Sequence, residues 1–123
     1  MPKDQQPLFS VEQHDDVLVV IPMEDAGSLI DRQIRQEWEQ ILADSEEPVA
    51  RIVLDLKKMH YFGSVMLEWM ISVWRHVQQH KGAFAACNAS TVGGEILKIA
   101  KFDSLWPIFN TREEAIEWVR AQP

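Results

Sequence analysis

Cysteine is nearly absent: Cys87 is the only one in 123 residues. A single thiol forms no internal disulfide and supports no cysteine-based metal site. Basic residues are also few, 12 against 19 acidic ones, for a net charge of −7. Nucleic-acid phosphates demand clustered Lys and Arg, and the only adjacent basic pair is Lys57-Lys58, so nucleic acid is excluded as a partner. Anionic membrane is disfavoured for the same reason. No apolar run approaches the roughly 20 residues of a membrane span. None follows a basic segment near Met1, so neither membrane insertion nor a secretory leader is expected, and the chain reads as cytoplasmic. Glycine-rich phosphate loops are missing as well: Gly93-Gly94 stands without G-x-G-x-x-G or Walker spacing. Neither H-E-x-x-H nor a nucleophile elbow occurs. The sequence therefore predicts no catalytic residues and no cofactor.

An apolar fraction of 46% and a charged fraction of 25% are those of an ordinary globular fold, and the length suits one domain over residues 1–123. The polar residues 1–6 are expected to fray. Residues 8–12 and 17–21 read as two strands joined by the turn His14-Asp15-Asp16, the second a β-branched run suited to burial on both faces. Ser28 and Asp31 form a capping-box pattern, followed by Ile30, Ile34, Trp38, Ile41 and Leu42 at helical spacing up to about Pro48. Residues 51–56 are a strand, Gly63-Ser64 opens a helix to about His80, and Lys81-Gly82 stops it. Residues 83–87 are a strand of small side chains, and Asn88 to Thr91 cap a short helix. Pro107 confines residues 105–109 to a short edge strand at most. Thr111 and Glu114 are a capping box for a last helix. The ββαβαβαβα order predicts an α/β fold: a mostly parallel sheet, an antiparallel N-terminal edge strand, and about four helices.

Chemistry-bearing residues are scattered. His76 and His80 lie one helical turn apart and could chelate a metal weakly, but no third ligand is near in sequence, so no metal is expected and a polar helix end is the simpler reading. Asp15-Asp16 fits a hairpin turn. Asp55 is unusual inside an apolar strand; it could be a functional carboxylate, but the simpler expectation is that it faces solvent or caps a loop. Projected at 100° per residue, the helix from Ser64 turns Met66, Leu67, Met70, Val73, Trp74 and Val77 toward the core. Ser64, Glu68, Ser72, Arg75 and Gln79 face water. Val65 falls among the polar residues with Trp69 at the margin, a candidate exposed apolar contact patch. Trp106, beside Pro107, is a further candidate for exposure.

These elements resemble the STAS domain over nearly the whole chain. The resemblance rests on the strand Ile52-Val53-Leu54-Asp55-Leu56, the loop ending in Tyr61-Phe62, a small residue, Ser64 and a helix carrying Leu67. Residues 102–109 and the final Thr111-Arg112-Glu113-Glu114-Ala115-Ile116 add to it. In the anti-sigma factor antagonists of this family the corner reads Asp-Ser-Ser/Thr-Gly-Leu, and a partner kinase phosphorylates the serine after the Asp. Ser64 and Leu67 match that pattern, whereas Gly63, Val65 and Met66 depart from it. The resemblance implies a non-catalytic module that binds an anti-sigma factor or serine kinase, with Ser64 as phosphoacceptor. Gly63, Val65, Glu68, Trp69 and Ser72 would be its partner contacts. Two alternatives stay open: Ser64 as only an N-cap or a first-turn residue following a Gly cap, and the chain as an unphosphorylated structural adaptor, for instance in a membrane transporter complex.

Overall fold

The computed structural model describes residues 7–23, 31–45 and 48–123. Residues 1–6, Ser28 and Ile30 lie outside them, and with them the capping box expected before the first helix. Strands β1 (Phe9–His14), β2 (Val17–Pro22), β3 (Arg51–Asp55), β4 (Ala83–Cys87) and β5 (Ile108–Phe109) form one sheet in the order β1-β2-β3-β4-β5. Only β1–β2 is antiparallel. Helices α1 (Asp31–Ala43), α2 (Ser64–Gln79) and α3 (Thr91–Ile99) connect the parallel strands, and α4 (Arg112–Ala121) follows β5.

Sequence order and sheet order coincide, so the three crossovers step the same way. Right-handed crossovers of that kind place their helices on one face. The two cores agree. Leu18, Val20, Ile52, Leu54, Phe84 and Ala86 point to the face holding Ile34 and Trp38 of α1, Met66, Met70 and Val73 of α2, and Leu97 of α3. Their alternates Val17, Val19, Ile21, Val53, Ala83, Ala85 and Cys87 meet Ala115, Ile116 and Val119 of α4. Every residue of β2 is buried, as its unbroken apolar run requires when both faces are covered.

Local chemistry sets the boundaries. His14 pairs with Val17, leaving Asp15-Asp16 as a two-residue turn in which Asp15 takes φ 57°. α1 ends at Ala43, short of Pro48. At the end of α2 the positive φ falls on Lys81, 56°, while Gly82 serves a different need: a Cβ there would lie 1.6 Å from the Ala50 carbonyl oxygen. β5 is shorter than the expected 105–109 strand because Trp106 turns inward. It is 3% exposed and packs edge-on against Phe84, 4.8 Å between centroids, so the expected exposure of Trp106 is overturned. The Thr111–Glu114 capping box forms as read. At the other end of α4, Arg51 donates to the Val119 carbonyl and Arg120 pairs with Asp15 at 2.8 Å.

Candidate functional site

The corner between β3 and α2 is built by three apolar pegs. Leu56, Met59 and Phe62 are buried, so the loop is pinned to the core and the residues between them, Lys57, Lys58, His60 and Tyr61, are left outside. Tyr61 is 56% exposed. A second loop braces the first: the Ser90 hydroxyl donates to the His60 carbonyl at 2.6 Å and accepts from the Gly93 amide at 2.9 Å. Gly93 is buried where a Cβ would press on Phe62 at 3.3 Å, so α3 can sit directly on this loop.

Gly63 is the N-cap of α2, with extended backbone and no side chain to cap the first turn. Ser64 is therefore the first helical residue rather than the cap. It is exposed, and among the described residues its hydroxyl has no hydrogen-bond partner. The space around Gly63 is open; a Cβ there meets nothing within 4 Å. α2 thus begins at an exposed corner, Gly63 and Ser64, with the positive end of the helix dipole behind it.

Of the expected contact residues, Gly63, Glu68 and Ser72 are exposed, but Val65 and Trp69 are not the exposed patch that the helical projection gave. Val65 is half-buried against the core. Trp69 is only 6% exposed, stacked on Phe9 at 4.7 Å and edge-on to Trp38 at 5.5 Å. The helical period places Trp69 at a margin; it cannot know that α1 and β1 close over that margin. Glu68, Trp69 and Ser72 instead line a cavity of about 380 Å³ between α2 and α1, opposite Ile34, Arg35, Trp38 and Glu39. The Trp69 indole N–H is buried without a hydrogen-bond partner among the described residues, and the Ser72 hydroxyl turns back to the Trp69 carbonyl at 2.7 Å. His76 has one ring nitrogen 2.8 Å from the Val49 carbonyl and its ring centroid 4.5 Å from that of His80.

Asp55 departs from the expectation of a solvent-facing carboxylate. It is fully buried at the end of β3, on the α4 side. Its Oδ2 accepts from Arg112 Nε at 2.9 Å, and its Oδ1 accepts from Asn88 Nδ2 at 3.0 Å and from the Lys57 amide at 3.1 Å. The loop-capping half of the expectation is present; the solvent half is not. Arg112 also donates to Glu12 at 2.9 Å. Burial works against the Arg112 charge, but its hydrogen bonds to Asp55 and Glu12 outweigh that and raise its pKa. Hydrogen bonds from His14 and then Arg112 lower that of Glu12. Burial, with the Asp55 charge adding to it, pushes the Cys87 thiol up to about 12, leaving it neutral and unreactive. Asn88 to Thr91 read as the cap of α3, and Ser90 is that cap, but the ties that Asn88, Ser90 and Arg112 make to Asp55 and His60 escaped the sequence reading. A cation in the first turn of α4, against the helix dipole, was the one available signal.

The STAS domain family matches residues 9–115. BtrV of Bordetella bronchiseptica, named as a candidate anti-sigma factor antagonist, is 29% identical over 76 residues. That match covers 62% of this chain and 66% of BtrV, just under two thirds of the relative's length. A crystal structure of a candidate anti-sigma factor antagonist from Thermotoga maritima superposes with a TM-score of 0.81 at 20% identity, over 91% of this chain and 94% of that one. The unphosphorylated form of the anti-sigma factor antagonist SpoIIAA gives 0.74 at 18% identity, over 91% and 96%. At these identities the two structures establish the shared fold. Among the described residues no helix is long and apolar enough to cross a membrane.

Proposed function

The chain belongs to the STAS domain family, and from that membership we propose that it is a non-catalytic regulatory module that docks a protein partner, an anti-sigma factor or serine kinase, at the β3–α2 corner. The observation that carries the reading is Ser64: an exposed hydroxyl that no described residue hydrogen-bonds, on the first turn of α2. A partner kinase would transfer the γ-phosphoryl of ATP to Ser64 Oγ, releasing the hydroxyl proton and ADP. The phosphate adds about −1.5 to −2 charges to the surface. Open amides at the helix start tolerate that charge, so the fold need not move. A partner resting on Gly63, Glu68 and the exposed Tyr61 loses its fit when the phosphate arrives.

A second reading is favoured by one feature, Gly63 in place of the motif's carboxylate. It is a fixed adaptor, never phosphorylated, such as a STAS subunit of a transporter complex. Partner affinity of the Ser64→Ala and Ser64→Asp proteins separates the two. The switch predicts that Ser64→Asp weakens binding by about tenfold or more, on the scale of an interfacial charge mismatch, while Ser64→Ala binds like the parent. Equal affinities leave the adaptor.

A further inference from the structure

The corner carrying Ser64 is held in shape from the far side of the sheet. Asp55 is the last residue of β3, buried beneath α4, and its two oxygens do separate work. Oδ1 takes the Lys57 amide, which starts the β3–α2 loop, and the Asn88 side-chain amide, which starts the β4–α3 loop. Oδ2 takes Arg112 of α4, whose other arm reaches Glu12 of β1. Asn88 adopts φ 58° where the chain leaves β4. The same two loops meet again at their outer ends through the Ser90–His60 hydrogen bond. They are therefore tied at the root by Asp55 and at the tip by Ser90.

This root is costly. Burying a carboxylate and most of a guanidinium demands desolvation that a matched apolar pair would avoid. Arg112 also stands at the wrong end of the α4 dipole. A pair kept only for stability has cheaper equivalents; one that sets loop geometry does not. We infer that Asp55 is the positioning residue for the docking corner: its Oδ1 fixes both loops beside Ser64, while Arg112 offsets its buried charge through Oδ2 and ties α4 to the same root. The role in docking rests on the function proposed above; the geometric role does not.

Amide hydrogen exchange on the isolated protein tests the geometry without any partner. In Asp55→Ala, amides of residues 57–63 and 88–92 are expected to exchange about tenfold faster than the global loss of stability, read from urea unfolding, accounts for. Asp55→Asn keeps an oxygen for the loops and gives up the ion pair, so its loops stay within about threefold of the parent while the first turn of α4 loosens. If Asp55→Ala does not fold, Asn88→Gly decides: it keeps the positive φ, removes the donor, and is read at residues 57–60 on the opposite loop. Acceleration there supports the tie. Acceleration spread evenly over the whole chain, or unchanged loops, overturns it. Affinity for the partner protein should then fall in Asp55→Ala and recover in Asp55→Asn. A chain that binds no anti-sigma factor or kinase refutes the docking role alone and leaves the exchange result standing.

Discussion

At the scale of single residues, the side chains that organise this molecule are those whose surroundings differ most from their neighbours in sequence. Asp55 sits in an apolar strand and faces α4, where Arg112 gives it a partner. Glu12 is the exposed end of the same network. Its folded-state pKa lies below the ordinary 4.5, first through His14 and then through Arg112. A depressed carboxylate contributes stability that is present above the unfolded value and lost as pH falls through the folded one. The Glu12 carboxyl carbon, followed by NMR, should therefore titrate below 4.5, and the midpoint should rise in His14→Ala. A midpoint at or above 4.5 in the parent protein would remove Glu12 from the network.

At the scale of elements, the α/β order was legible because each segment carried its own period and stop signal. The β-branched run of β2, the spacing of α2 and the Thr111–Glu114 box each point to one structure. Their limits were less legible where a distant contact decides them. Trp106 looks exposed beside Pro107 until Phe84, Phe102 and Trp74 are seen around it. Trp69 is sealed by Phe9 and Trp38, which are 60 and 31 positions away in sequence. The exposed corner at Gly63 and Ser64 was readable, since a strand-to-helix junction is local. Its brace from Ser90 and its anchor in Asp55 and Asn88 were not. Gly82 illustrates the same divide: a stop signal in the sequence, it proves to be a close approach to the Ala50 backbone. Gly82→Ala should lower unfolding stability in urea by about 1–3 kcal/mol, as overpacking against backbone does. An unchanged midpoint would show that the β4 start relaxes freely.

At the scale of the whole molecule, the layout divides labour. α4 and the small side chains of β4 make one tightly packed face, while α1, α2 and α3 cover the other and leave exposed apolar residues near its loops. Tyr61, Val92 and Ile99 are among the most exposed, Ile99 at 79%. The exposed Tyr61, three residues before a serine that no described residue hydrogen-bonds, fits the transient, charge-sensitive docking proposed for this acidic module. The missing carboxylate at position 63 is the main departure from the family's phosphorylation motif, and the open space there makes it testable by restoration. The most direct measurement is phosphopeptide mass analysis of the protein and of Gly63→Asp after incubation with Mg-ATP and lysate of the source cells. The switch account predicts phosphate on Ser64 in the parent and more of it in Gly63→Asp. Phosphate in neither, in a lysate where another STAS protein is phosphorylated, would contradict it and leave Ser64 as the first residue of a fixed docking helix.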